Sequence, residues 1–77
     1  MRRICDLSGD DWDIVLGHAS WGVFEILFVP VDGGRDTIRT APLPEVSRSA
    51  ADQALMRFQR EDLLELLAAS QPWSGSG

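Results

Sequence analysis

One cysteine, one histidine and no lysine, asparagine or tyrosine are found among the 77 residues, and most of these shortages exclude some chemistry. Cys5 alone cannot close an internal disulfide. Cys5 and His18 are the only soft or imidazole donors, too few for the roughly four ligands of a structural zinc. Without lysine there is no P-loop, and Gly33-Gly34 reads as a hairpin tip without the strand-to-helix context that cradles a phosphate. The seven basic residues are all arginine, scattered at 2, 3, 35, 39, 48, 57 and 60 against 12 acidic residues, for a net charge of −5. Such a chain repels a phosphate backbone unless its positive charge is gathered on one face. No apolar run approaches the ~20 residues that span a bilayer. Arg2-Arg3 is not followed by the apolar stretch of a secretory signal. The expectation is a cytoplasmic protein with a reduced thiol, no cofactor, no bound metal and no membrane partner.

Domains of this size bury only about 60 % of their unfolded surface and are marginally stable. With a disulfide and a zinc excluded, oligomerisation or docking on a partner is the remaining source of support.

What is present is a strand with two apolar faces. From Trp21 to about Val29, Trp21, Val23, Glu25, Leu27 and Val29 line one side, and Phe24, Ile26 and Phe28 line the other. Only Glu25 breaks the apolar pattern, and such a strand wants cover on both sides. Before it, residues 3–7 and 12–16 read as a hairpin around the turn formers Ser8-Gly9-Asp10-Asp11, with Trp12, Ile14 and Leu16 on one face and Asp13 and Val15 on the other. Gly17-His18-Ala19-Ser20 supplies a second turn and Asp32-Gly33-Gly34-Arg35-Asp36 a third. Residues 37–40 make a short edge strand. Ala41-Pro42-Leu43-Pro44-Glu45-Val46 reads as an extended linker, because two closely spaced prolines prevent helix.

From Ser47 or Ser49 onward the apolar period becomes helical, with Ser49 and Asp52 approximating a capping box. Gln59-Arg60-Glu61-Asp62 interrupts the stripe, and its acidic pair suits the first turn of a new helix. Two helices are therefore expected, over 49–58 and 61–70, with Gln71-Pro72 ending the second and Trp73 folding back as an anchor. The sequence predicts a single α+β domain over residues 1–73, an antiparallel meander of three or four strands with both helices on one sheet face, followed by a Ser/Gly tail at 74–77.

Catalytic constellations are sparse. His18 with Ser20 or Cys5 has no orienting partner. Cys5 is expected to be a buried small hydrophobe, although Arg2 and Arg3 stand close enough in sequence to activate a thiol. Asp6, Asp10, Asp11 and Asp13 lack the spacing of a calcium loop and fit Asx-type turn chemistry. Trp12, Trp21 and Trp73 suit the seam between sheet and helices, Trp73 also an interface.

The helices can cover one side of the central strand. The other side is expected to carry the function, as a protein-interaction or accessory module that self-associates as a homodimer or docks on a larger protein through Trp21, Val23, Leu27, Val29 and Trp73. Glu25, in the middle of that face, is expected to find an arginine or a wet rim. The alternative is a nucleic-acid-binding or regulatory domain that uses Arg35, Arg39 and the sheet aromatics Trp21, Phe24 and Phe28.

Overall fold

Asp6 builds the first corner of the fold. In the computed structural model, which describes residues 2–18, 24–32, 38–45 and 47–73, its carboxylate accepts the backbone N–H groups of Ser8 at 2.9 Å and Asp10 at 3.0 Å, while its own N–H donates to the Asp10 carbonyl. Gly9 takes φ +90°, a left-handed conformation that costs other residues about 1–2 kcal/mol. This turn begins earlier than the sequence pattern indicates. Strand β1 therefore covers only Arg2–Cys5, and Leu7 sits 90 % exposed in the turn.

Strand β2 (Asp11–His18) pairs antiparallel with β1 and with β3 (Phe24–Pro30), and β3 pairs with β4 (Arg39–Leu43). A two-residue strand, β5 (Gln71–Pro72), closes the sheet beside β4, giving the order β1-β2-β3-β4-β5 among the described residues. The molecule is α+β, with one strand more than the pattern suggests.

Strand β4 corrects the reading of 41–46 as a linker, because Ala41, Pro42 and Leu43 belong to the sheet. Pairing of Thr40 with Gln71, and the Trp73 N–H to Ile38 carbonyl bond of 2.9 Å, set the phase of this strand. Thr40 and Pro42 turn their backbone groups away from β3. Pro42 lies past the end of β5, so its missing N–H falls on an open edge and removes no ladder bond.

Helix α1 (Arg48–Arg57) starts at Ser47, whose hydroxyl accepts the Ala50 N–H at 3.1 Å, two residues earlier than the Ser49 and Asp52 pattern implies. Helix α2 (Arg60–Ala68) starts after Gln59, whose N–H donates to Asp62 Oδ2 at 2.9 Å. The polar interruption at 59–62 is thus a real break between two helices. Both lie on the side of the sheet that carries Ile4, Ile14, Phe24, Ile26, Phe28, Ala41 and Leu43, and they add Ala51 and Leu63 to form the buried core.

Among the described residues, three arginines tie the layers together by donating to backbone carbonyls. Arg2 on β1 reaches Leu55 at 3.1 Å and also Phe58, which satisfies carbonyls at the end of α1. Arg60 at the start of α2 reaches back to Cys5 at 2.7 Å and covers part of the β1 edge. Arg39 on β4 holds Ser70 through the hydroxyl at 2.7 Å and the carbonyl at 2.6 Å.

Candidate functional site

Strand alternation sends every second side chain to the helix-free side of the sheet. Reading across the register, Val15 stands opposite Leu27 and Leu27 opposite Thr40, while Asp13 stands opposite Val29 and Gly17 opposite Glu25. Val15, Leu27 and Val29 form a contiguous apolar strip. They are half-buried, and the core and the side chains packed on it come from the other side of the sheet. A Cβ on Gly17 would lie 3.1 Å from Leu27 Cγ and Cδ1 and from Glu25 Cγ. Leu27 therefore lies down over Gly17, which explains its partial shelter without any covering layer.

Polar groups frame the strip. Arg3 Nε donates to Asp13 Oδ1 at 2.8 Å, and this pairing holds the Arg3 guanidinium above its ordinary pKa. Thr40 Oγ1 donates to Glu25 Oε1. The partner of Glu25 is thus a threonine hydroxyl from the neighbouring strand, where the sequence suggested an arginine or a wet rim. Gln71 lies opposite Thr40, and by the same alternation Trp73, 38 % exposed, falls on this side of the sheet.

Of the five residues assigned to partner binding from the sequence, Leu27, Val29 and Trp73 are on this face. Trp21 and Val23 lie outside the described residues. Val15 was missed, since beside Asp13 it reads as the outer side of a strand. Its membership of the strip follows only from the β2–β3 register.

Other candidates are placed elsewhere. Cys5 is exposed at the edge strand, which corrects the expectation of a buried hydrophobe. Its thiol is pushed above its ordinary pKa by local desolvation first and then by Asp11 and Asp6, with Arg60 opposing. That environment protects the thiol form and disfavours the nucleophilic thiolate. The side chain of His18, the whole of Ser20, Gly33, Gly34 and Arg35, and the tail at 74–77 lie outside the described residues. Phe24 and Phe28 are 7 % and 0 % exposed beneath the helices, so neither offers a ring face to a base. Arg39 points into the helix layer and is engaged by Ser70.

Asp6 carries turn chemistry, as the acidic cluster suggested. Its second oxygen accepts Trp12 Nε1 at 2.9 Å, and this bond, followed by those from the backbone, lowers its pKa below the usual carboxylate value. The stability it contributes is present above the unfolded carboxylate pKa and is lost as pH falls through the lower folded value. Urea titrations of the wild type are expected to show a drop in stability below about pH 4, and Asp6→Asn, less stable at neutral pH, should show a shallower drop. Parallel acid profiles for the two proteins would refute this role.

An open groove of about 230 Å³ lies between β2 and α1, lined by Ile14, Val15, Leu16, Arg48, Asp52 and Leu55. It is smaller than the roughly 300–1,000 Å³ of ordinary ligand sites. Among the described residues no group of three or more His, Cys, Asp or Glu side chains is arranged to hold a metal ion, and no helix is long and apolar enough to cross a membrane. Comparison of the chain with models of known families, with curated proteins and with solved structures gave no match in any of the three.

Proposed function

We propose that this chain is a small non-enzymatic protein-interaction module whose docking surface is the helix-free face of its sheet. The observation that carries this reading is the strip of Val15, Leu27 and Val29, which lies across the sheet from a core that both helices already fill. Apolar surface at the centre with polar groups around it is the anatomy of a protein interface. Trp73 at its margin supplies an aromatic residue of the type that anchors such contacts. The nucleic-acid alternative loses two of its ingredients, since Arg39 is spent on Ser70 and the described sheet aromatics are core.

The test is site-specific photo-crosslinking in cells that express the chain. A photoreactive residue at Leu27 is expected to give one discrete adduct, with a second copy or with another protein. The same residue at Gln53, exposed on α1, is expected to give none. Equal labelling from both positions, or no adduct from Leu27 in a folded protein, overturns the assignment.

A further inference from the structure

The described arginines are distributed unevenly. Arg2, Arg39 and Arg60 are committed to backbone carbonyls, and Arg48 and Arg57 are exposed on α1, where Arg48 shares the groove beside Val15 with Asp52. Arg3 alone among them stands on the helix-free face, and Asp13 already pairs with it. Asp11, Asp13 and Glu25 occupy the same face. Among the described residues of this face, three carboxylates stand against one guanidinium and make the frame of the apolar strip negative, with Glu25 half-buried among the apolar side chains and held there by Thr40.

We infer that this face takes a partner protein surface with an apolar centre and a basic rim, one that sets an arginine or lysine against Glu25, in preference to a second copy of this chain. The inference rests on the docking reading above and adds the chemistry of the partner. Covering Glu25 strips water from a carboxylate, and only a cation delivered with the partner offsets that loss. A two-fold dimer would press identical surfaces together. Each copy would bring the same three carboxylates, and the one guanidinium among the described residues of this face is already paired with Asp13. A basic partner meets carboxylates at both ends of the strip, Asp11 and Asp13 at one and Glu25 at the other, which also speeds encounter at low salt.

The experiment is an NMR titration of the full chain with two synthetic amphipathic peptides of equal length, one of leucine and arginine, the other of leucine and glutamate. An arginine and serine peptide controls for charge alone. The Leu/Arg peptide is expected to shift the methyl signals of Val15, Leu27 and Val29, with affinity falling about fivefold or more between low and physiological salt. Glu25→Gln, which keeps an acceptor for Thr40, is expected to weaken it about tenfold. Should that variant not fold, Asp11→Asn at an exposed position tests the same charge frame. Equal binding of the Leu/Glu peptide at these methyls overturns the basic-partner inference while the docking face stands. Equal binding of the Arg/Ser peptide shows charge without apolar recognition and overturns it too. Dilution-dependent shifts of the same methyls in the protein alone overturn it in favour of a second copy. Shifts confined to the helices, or none, remove both the inference and the reading beneath it.

Discussion

Phe28→Ala is expected to unfold most of the molecules or leave a domain on the verge of unfolding. Phe28 is 0 % exposed on β3, the middle strand, where its neighbours across the sheet are Ile14 and Arg39. Truncating a buried phenylalanine costs about 3–5 kcal/mol through lost transfer energy and the cavity left behind. A chain of this length has only roughly 4–12 kcal/mol of stability in total. The neighbouring substitution Leu27→Ala supplies the contrast, because Leu27 sits one residue away on the helix-free side and is half-buried. It is expected to cost about 1 kcal/mol or less, as surface changes do. Urea denaturation of the two variants measures the sidedness of the strand directly. If Leu27→Ala costs as much as Phe28→Ala, both faces are structural and the strip is not a free surface.

That sidedness was half legible in the sequence. Alternation of Trp12, Ile14 and Leu16, and of Phe24, Ile26 and Phe28, located two core rows, because a period of two survives any error in strand ends. The break at Gln59 to Asp62 was legible for a local reason: a polar gap with an acidic first turn marks a helix start whatever surrounds it. Which side of β3 the helices would cover was open, since both were apolar, and the choice depends on contacts between distant segments. The linker reading of 41–46 failed because a proline forbids a strand only where its N–H is needed. Whether it is needed at Pro42 depends on where β5 stops. Strand β5 itself, two residues long, carries no periodic signal. The exposure of Cys5 follows from its place on an edge strand beside an early turn.

The arginines show the limit most clearly. From the sequence they look like scattered surface charge, available to an anionic ligand. In the fold Arg2 spans 53 and 56 residues to reach its acceptors, Arg60 spans 55 and Arg39 spans 31. No local pattern encodes such bonds. They meet the need of helix ends and sheet edges for donors, and that need becomes visible only when the elements are assembled.

Arg39→Met tests this use of charge, and it is expected to lower stability by about 2–3 kcal/mol, the range for losing a hydrogen bond to a charged group and leaving its acceptor short of a partner. Arg39 grips Ser70 at two points, 2.7 Å to the hydroxyl and 2.6 Å to the carbonyl, and that hydroxyl in turn donates to the Leu67 carbonyl at the end of α2. Ser70 is 7 % exposed, so water offers little replacement. Methionine keeps most of the apolar stem, and the loss therefore reports on the guanidinium. Arg39→Lys should fall between wild type and Arg39→Met, because an ammonium is a point charge and cannot present the planar fork that meets two oxygens at once. Hydrogen exchange should place the damage locally, with faster exchange at the C-terminal turn of α2 and at Trp73, whose N–H closes the pairing with Ile38. In a double-mutant cycle with Ser70→Ala the loss in the double variant should fall short of the sum of the two single losses, as it does for groups that share one bond network. If Arg39→Met is as stable as wild type and exchange at the end of α2 is unchanged, the guanidinium is free of Ser70 in solution. The nucleic-acid alternative would then regain a cation that the structure commits to the fold.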